Sequence, residues 1–147
     1  MSSSAVPTHT RQATCVAIDG RGVLIEGVPG VGKSSLALAL IDRGAVLVGD
    51  DGVVLEAHDS HVYASPHPRT AGLLEVRNLG LLPFRVYGAV RVALLLRLTA
   101  DAPRYIEQAE SEMIAGVAMP RIDLWPQTPV LALRAEWALA RYGLAHP

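Results

Sequence analysis

Apolar residues in this chain come mostly in runs of three to six, punctuated by glycine, aspartate and proline. Runs of that length, bounded by turn residues, predict strands more often than helices. Val16–Ile18 and Val23–Glu26 read as two strands joined by a turn at Asp19-Gly20-Arg21-Gly22. Lys33 to Arg43 carries Leu36/Leu40 and Ala37/Ile41 one helical turn apart, which predicts a helix that Gly44 stops. Ala45–Val48 predicts a buried strand ending in Gly49-Asp50-Asp51, and Val53–Glu56 with His61–Ala64 a hairpin around Asp59-Ser60. Ser65–Pro68 is a loop, and Leu73–Val76 a strand entering a turn at Asn78–Gly80.

The longest alternation runs from Val90 to Leu98. Val90, Val92, Leu94, Leu96 and Leu98 share one face, while Arg91, Ala93, Leu95 and Arg97 share the other. Asp101 to Glu112 is polar and predicts an exposed connection. The part with Arg104 and Glu107 is either a solvated loop or a segment that closes over a substrate. Met113–Leu124 reads as a strand region broken by Pro120. Thr128-Pro129 opens a last helix that runs to Tyr142, with Gly143 just past its end. Strands around a crossover helix predict an α/β domain with an unusually large share of strand.

Composition narrows the function classes. A length of 147 residues fits one domain, taken here as residues 11–147 behind a loose tail over residues 1–10. A net charge of −1 gives no broad electrostatic grip on nucleic acid or on acidic lipid. No run reaches the ~18 uncharged apolar residues of a membrane helix. Met1–Ser4 lacks the positive region and apolar core of a secretory signal. A single cysteine, Cys15, sits in an apolar run, reads as a buried hydrophobe, and points to the cytoplasm. His58, His61 and His67 read as solvated hairpin and loop residues, and Trp125 and Trp137 as core or subunit-contact residues.

The chemistry is carried by Gly27-Val28-Pro29-Gly30-Val31-Gly32-Lys33-Ser34, a complete G-x-x-x-x-G-K-[ST] phosphate-binding loop between a predicted strand and a predicted helix. The glycines let the backbone curl so that its N–H groups converge on phosphate oxygens at a helix N-terminus. Lys33 reaches the β- and γ-phosphates, the Ser34 hydroxyl is a magnesium ligand, and Ser35 follows in the same loop. A nucleotide with Mg2+ is therefore predicted, while the loop leaves the reaction open. Asp50 and Asp51 end the next strand, where strand ends line a ligand crevice. One of these carboxylates holds magnesium or its water, and the other takes a proton from an attacking hydroxyl.

These residues resemble a known family. Gly22-Val23-Leu24-Ile25-Glu26-Gly27, Gly32-Lys33-Ser34, Leu36-Ala37-Leu38, Arg43-Gly44 and Leu47-Val48-Gly49-Asp50-Asp51 are similar to the HPr kinase/phosphorylase family. Gly72-Leu73-Leu74-Glu75-Val76-Arg77-Asn78-Leu79-Gly80 resembles that family's second signature, and the likeness runs from about Gln12 to Leu98. The resemblance implies a phosphate-loop mixed β-sheet with flanking helices, of the PEP carboxykinase-like kind, in a short form consisting of the catalytic domain only. It implies phosphorylation of a serine on the small carrier protein HPr, using ATP and Mg2+, with removal of that phosphate by inorganic phosphate as the reverse direction. It also implies a role in carbon or nitrogen metabolism or the phosphotransferase system, and a homo-oligomer, a hexamer by resemblance. Asp50 becomes the general base, Asp51 a supporting carboxylate and metal-site residue, Glu75 and Ser34 magnesium ligands, and Arg77 a stabiliser of phosphate charge or of a subunit contact.

Three positions depart from the family pattern. Gln12 stands where the family has a histidine, Ser35 where an acidic residue follows the loop, and Asn78 where the signature has glycine. The first two bear on rate and reversibility rather than on nucleotide binding. Two other readings stay open, a nucleotide-binding regulatory module without transfer, and a kinase for another peptide or small molecule.

Overall fold

The computed structural model describes residues 8–146. The expected tail lies outside the described residues as far as residue 7. From there the expectation is corrected, because Thr8–Arg11 forms strand β1, paired antiparallel with β5. The order continues β2 (Thr14–Ile18), β3 (Arg21–Glu26), α1 (Lys33–Asp42), β4 (Val46–Gly49), β5 (Val53–His58), β6 (His61–Pro66), β7 (Leu73–Val76), β8 (Gly80–Pro83) and β9 (Val90–Leu98). It ends with β10 (Glu110–Ile114), β11 (Val117–Leu124) and α2 (Leu131–Tyr142).

A nine-stranded sheet runs β1-β5-β6-β9-β3-β2-β4, with β11 on β9 and β10 on β11, while β7 and β8 pair separately. β3, β9 and β11 are parallel, and the hairpins are antiparallel, so the sheet is mixed. Apolar packing forms on both sides of β2, β3 and β9. On one side Val16, Val23, Ile25, Leu94 and Leu96 pack under both helices, through Leu36 and Leu40 of α1 and Ala135 and Leu139 of α2. On the other, Cys15, Leu24, Val92 and Leu95 pack against Leu55 of β5, Val62 of β6 and Met119 of β11. Each buried leucine or valine contributes roughly 1.5–3 kcal/mol of transfer free energy, which is why short strands suffice.

The single alternation expected for Val90–Leu98 is broken by a bulge. Gly22 faces Val92 but Val23 faces Leu94, so Ala93 is the extra residue. Parity therefore flips: Val90 and Val92 face the strand layer, and Leu94, Leu96 and Leu98 face the helices. The carbonyl of Ala93 is taken by the N–H of Leu144 at 2.9 Å, which ties the segment after α2 onto the sheet.

The region Met113–Leu124 is also corrected. It is a hairpin that starts at Glu110 and turns at Ala115-Gly116, both with positive φ (51° and 81°). Pro120 does not break β11. It faces Ser111 of β10, and β11 joins β9 only from Arg121 onward, so the missing N–H falls before that second ladder begins. The last helix begins at Leu131, two residues beyond Pro129. Trp125 and Trp137 are 48% and 73% exposed, so of the two readings, core or subunit contact, the core is excluded.

Cys15 is fully buried, and burial pushes its thiol up to about 12. A thiol reagent at pH 8 is expected to label Cys15 only once the protein unfolds, as a denaturant series checks. Because the folded pKa is raised, the folded state keeps a proton that the unfolded state releases. Stability is thus expected to be unaffected by this group below about pH 9 and to fall as pH rises from there toward 12.

Candidate active site

The loop between β3 and α1 follows from its glycines. Gly30 and Gly32 hold φ of +83° and +115°, where a side chain is strained, and Gly32 caps α1, its carbonyl accepting from the Leu36 N–H at 2.9 Å. The first amides of α1 thus have no partner within the helix and make a ready anion site. The Lys33 ammonium folds back on its own loop, 2.8 Å from the Gly27 carbonyl and 3.3 Å from that of Val28.

Asp50 is the centre of the site. It ends the strand that pairs with β2 and is only 6% exposed. Its Oδ1 accepts from the Thr14 hydroxyl at 2.9 Å and from the Ser34 hydroxyl at 2.7 Å; its Oδ2 accepts from the Glu75 backbone N–H at 3.1 Å. Three separate parts of the chain thus converge on one carboxylate: the start of β2, the phosphate loop and the β7–β8 hairpin. That hairpin is fastened by Leu74, fully buried in the helix-side core. Gly49 makes the turn possible, since a Cβ there would meet the Gly52 carbonyl at 2.7 Å.

A cleft of about 350 Å³ opens over this carboxylate. It is lined by Pro29, Gly30, Gly32, Lys33, Ser34 and Ser35 of the loop and first turn of α1, by Asp50 and Asp51, and by Glu75 and Arg77 of the β7–β8 hairpin. Most of the residues singled out in the sequence therefore meet in one place. Val28 does not, being 69% exposed, and Val31 packs against the core; both belong to the loop only through their backbone. Gly27 seats the loop on β9, since a Cβ there would lie 3.0 Å from the Leu98 carbonyl. Asp51 and Asn78 adopt positive φ (56° and 75°), and Asn78 is thus a fitting substitute at a position suited to glycine.

Gln12 is exposed and has no part in the cleft. Thr14, which the sequence reading missed, supplies a fully buried hydroxyl to Asp50 instead. A threonine at the start of an apolar strand gives no signal by itself; only its pairing across the fold marks it. Thr14→Val is expected to cost about 1–3 kcal/mol in denaturant unfolding, and Thr14→Ser to retain most of that stability.

A second feature escaped the sequence. Glu26, Arg11, Glu112, Arg121, Asp123 and Arg97 form a continuous chain of ion pairs across β3, β1, β10, β11 and β9. The hydrogen bond that the Arg11 guanidinium donates to the Glu26 carboxylate pushes its pKa further up, with burial opposing. The chain ties together the strand ends next to the phosphate loop. Its partners lie up to 101 positions apart, so no local pattern announces them. The loop histidines behave as expected: His58 bonds Glu56, and His67 accepts from the Arg69 N–H.

The donor set suits magnesium held jointly with phosphate. Ser34, Asp51 and Glu75 offer hard oxygen donors around one cleft. Among the described residues no three His, Cys, Asp or Glu side chains gather closely enough to cage a metal alone. Magnesium typically takes one or two carboxylates plus substrate phosphates, so an open arrangement of this kind fits it.

Comparison with known proteins gives the same direction. The family model for the HPr serine kinase C-terminal domain matches residues 4–121. The chain is 45% identical over 94 residues to the HPr kinase/phosphorylase of Bordetella pertussis, covering 63% of this chain and 30% of that protein. It is 31% identical over 150 aligned positions to that of Limosilactobacillus reuteri, covering 92% of this chain and 47% of the relative. The chain thus spans less than half the length of these curated relatives. Its fold is similar to the HPr(Ser) kinase/phosphatase of Coxiella burnetii, with a TM-score of 0.80, 29% identity, and coverage of 90% of this chain and 94% of the other.

Proposed function

This chain belongs to the HPr serine kinase C-terminal domain family, and we propose on that premise that it transfers the γ-phosphate of ATP to a serine hydroxyl of a small HPr-like carrier protein. The observation that carries this reading is the contact of Asp50 with Ser34, 2.7 Å, which puts one buried carboxylate against the phosphate loop and at the floor of an open cleft.

The geometry supports a role for each residue. A carboxylate offers about four lone-pair directions, and Thr14, Ser34 and the Glu75 N–H occupy three of them. The remaining direction, on Oδ2, is free to take the proton of an incoming serine. Lys33 exchanges two loop carbonyls for phosphate oxygens when nucleotide enters. The loop amides hold the phosphates in place, and fixed donors of this kind stabilise charge as it develops. Arg77, which lines the same cleft, adds a second positive charge for phosphate. Ser34, Glu75 and Asp51 would hold magnesium, which supplies charge neutralisation at the phosphates. Asp50, by giving the proton back, serves the reverse, phosphorolytic direction.

The family reading extends to a cytoplasmic, homo-oligomeric protein, a hexamer, acting in carbon or nitrogen control or the phosphotransferase system. Among the described residues no helix is long and apolar enough to cross a membrane. A second reading is favoured by the exposure of Gln12 at the position where the family pattern has histidine. On it the chain binds nucleotide as a regulatory module without transfer. Transfer of labelled γ-phosphate from ATP–Mg2+ to purified HPr separates the two. Label on HPr supports the kinase. ATP bound without label selects the regulatory module or a kinase with another acceptor.

A further inference from the structure

A second cleft, about 530 Å³, lies on the other flank of the phosphate loop. That is within the roughly 300–1,000 Å³ of small-ligand sites. Its walls carry Pro103, Arg104, Leu124, Trp125 and Arg134. Trp125 is 48% exposed there, although it is one of the largest apolar side chains in the protein. Asp123 also borders the cleft, but Arg97 and Arg121 already bind its two oxygens. Arg104 and Arg134 have no acidic partner among the described residues, unlike Arg11, Arg43, Arg97 and Arg121. The unmatched charge of the cleft is therefore positive, beside a half-open indole. Such a pairing suits a flat heteroaromatic ring with an anionic substituent.

Its position says which ring. The loop springs from β3, whose neighbours in the sheet are β2 and then β4 on one side, and β9 and then β11 on the other. Asp50, at the end of β4, stands on the first side. The second cleft stands on the other, at the carboxyl ends of parallel strands β9 and β11, where ligand crevices form. The two are close: Gly27 abuts the Leu98 carbonyl, and the next N–H, Thr99, donates to the Leu124 carbonyl at 3.0 Å. In phosphoryl transfer the attacking and leaving oxygens lie roughly in line on opposite sides of the phosphorus. An acceptor deprotonated on the Asp50 side sends the leaving nucleoside diphosphate toward the β9–β11 side.

We propose that this second cleft receives the nucleoside end of the nucleotide, with Trp125 stacking on the base and Arg104 and Arg134 facing the ribose and the α-phosphate. The assignment rests on the phosphotransfer reading above. It explains why a tryptophan stays half exposed at the end of a core strand.

The test compares two probes that share phosphates and differ in the nucleoside: ATP–Mg2+ and inorganic tripolyphosphate–Mg2+. Calorimetric titration of the full chain is expected to show ATP bound more tightly than tripolyphosphate. Trp125→Leu is expected to weaken ATP about 10- to 100-fold, the range of one base–aromatic stack, and to leave tripolyphosphate within about twofold. In a Trp137→Phe background, where Trp125 is the only indole, ATP quenches the fluorescence and tripolyphosphate does not. ATP affinity unchanged in Trp125→Leu, an equal loss for both probes, or equal quenching by both would overturn the assignment. Wild-type protein that binds tripolyphosphate but gains nothing from the nucleoside overturns it too, while leaving the phosphate loop in place. Binding of neither probe brings down the phosphotransfer reading as well.

Discussion

Lys33→Ala is expected to lower phosphate transfer by about 10²- to 10³-fold, the usual loss when one fixed cation or donor is removed from a developing anion. Lys33 is the only lysine in the chain, so no neighbouring ammonium can substitute. Its ammonium now rests on the Gly27 and Val28 carbonyls, at the rim of the cleft rather than in the core. Alanine therefore removes charge from the proposed phosphate site with little cost to packing. The melting temperature should stay within a few degrees while ATP titration shows the affinity collapse. Near wild-type transfer by Lys33→Ala would mean that the loop is not where phosphate is held.

Asp50→Asn is expected to lower transfer about 10²- to 10⁴-fold, the range of a positioned general base, and to leave ATP affinity within a few fold. The fold can accept asparagine. With its carbonyl turned toward the Glu75 N–H, the amide NH₂ faces the Thr14 and Ser34 hydroxyls. Those hydroxyls can rotate from donating to accepting. On the proposed mechanism the loss is of basicity: the amide oxygen left at the Oδ2 position keeps its lone pairs but does not take up a serine proton at neutral pH. Measuring kcat and ATP affinity separately decides the matter: a loss confined to affinity would mean that Asp50 only organises the loop. Wild-type kcat would rule out the base.

The predicted loop, helix and acidic pair were legible because each is a local pattern. The spacing from Gly27 to Ser34 is a backbone requirement, and the Leu36/Leu40 spacing sets the buried face of α1. The Glu75-Val76-Arg77 signature was legible only by resemblance; nothing in its composition says that the N–H of Glu75 will reach Asp50. The reading failed where a single residue changed the register. One bulge residue, Ala93, reversed the facing of half of β9, and Ala115-Gly116 turned an expected broken strand into a hairpin. For the tryptophans the reading left core and subunit contact open, and the fold decided against the core by leaving both exposed.

The sequence by itself thus determined the glycine-rich loop, the helix behind it, the positions of the two carboxylates and the α/β character, because all of these depend on neighbours within a few residues. Tertiary structure alone decided that Thr14, Ser34 and Glu75 meet on Asp50 and that Gln12 does not. It also linked Arg11 to Glu112 across 101 positions and left a tryptophan-lined cleft on the far flank of the loop. The physical reason is range: backbone conformation is set locally, whereas a hydrogen bond or an ion pair depends on where distant strands are brought together by the burial of their apolar faces.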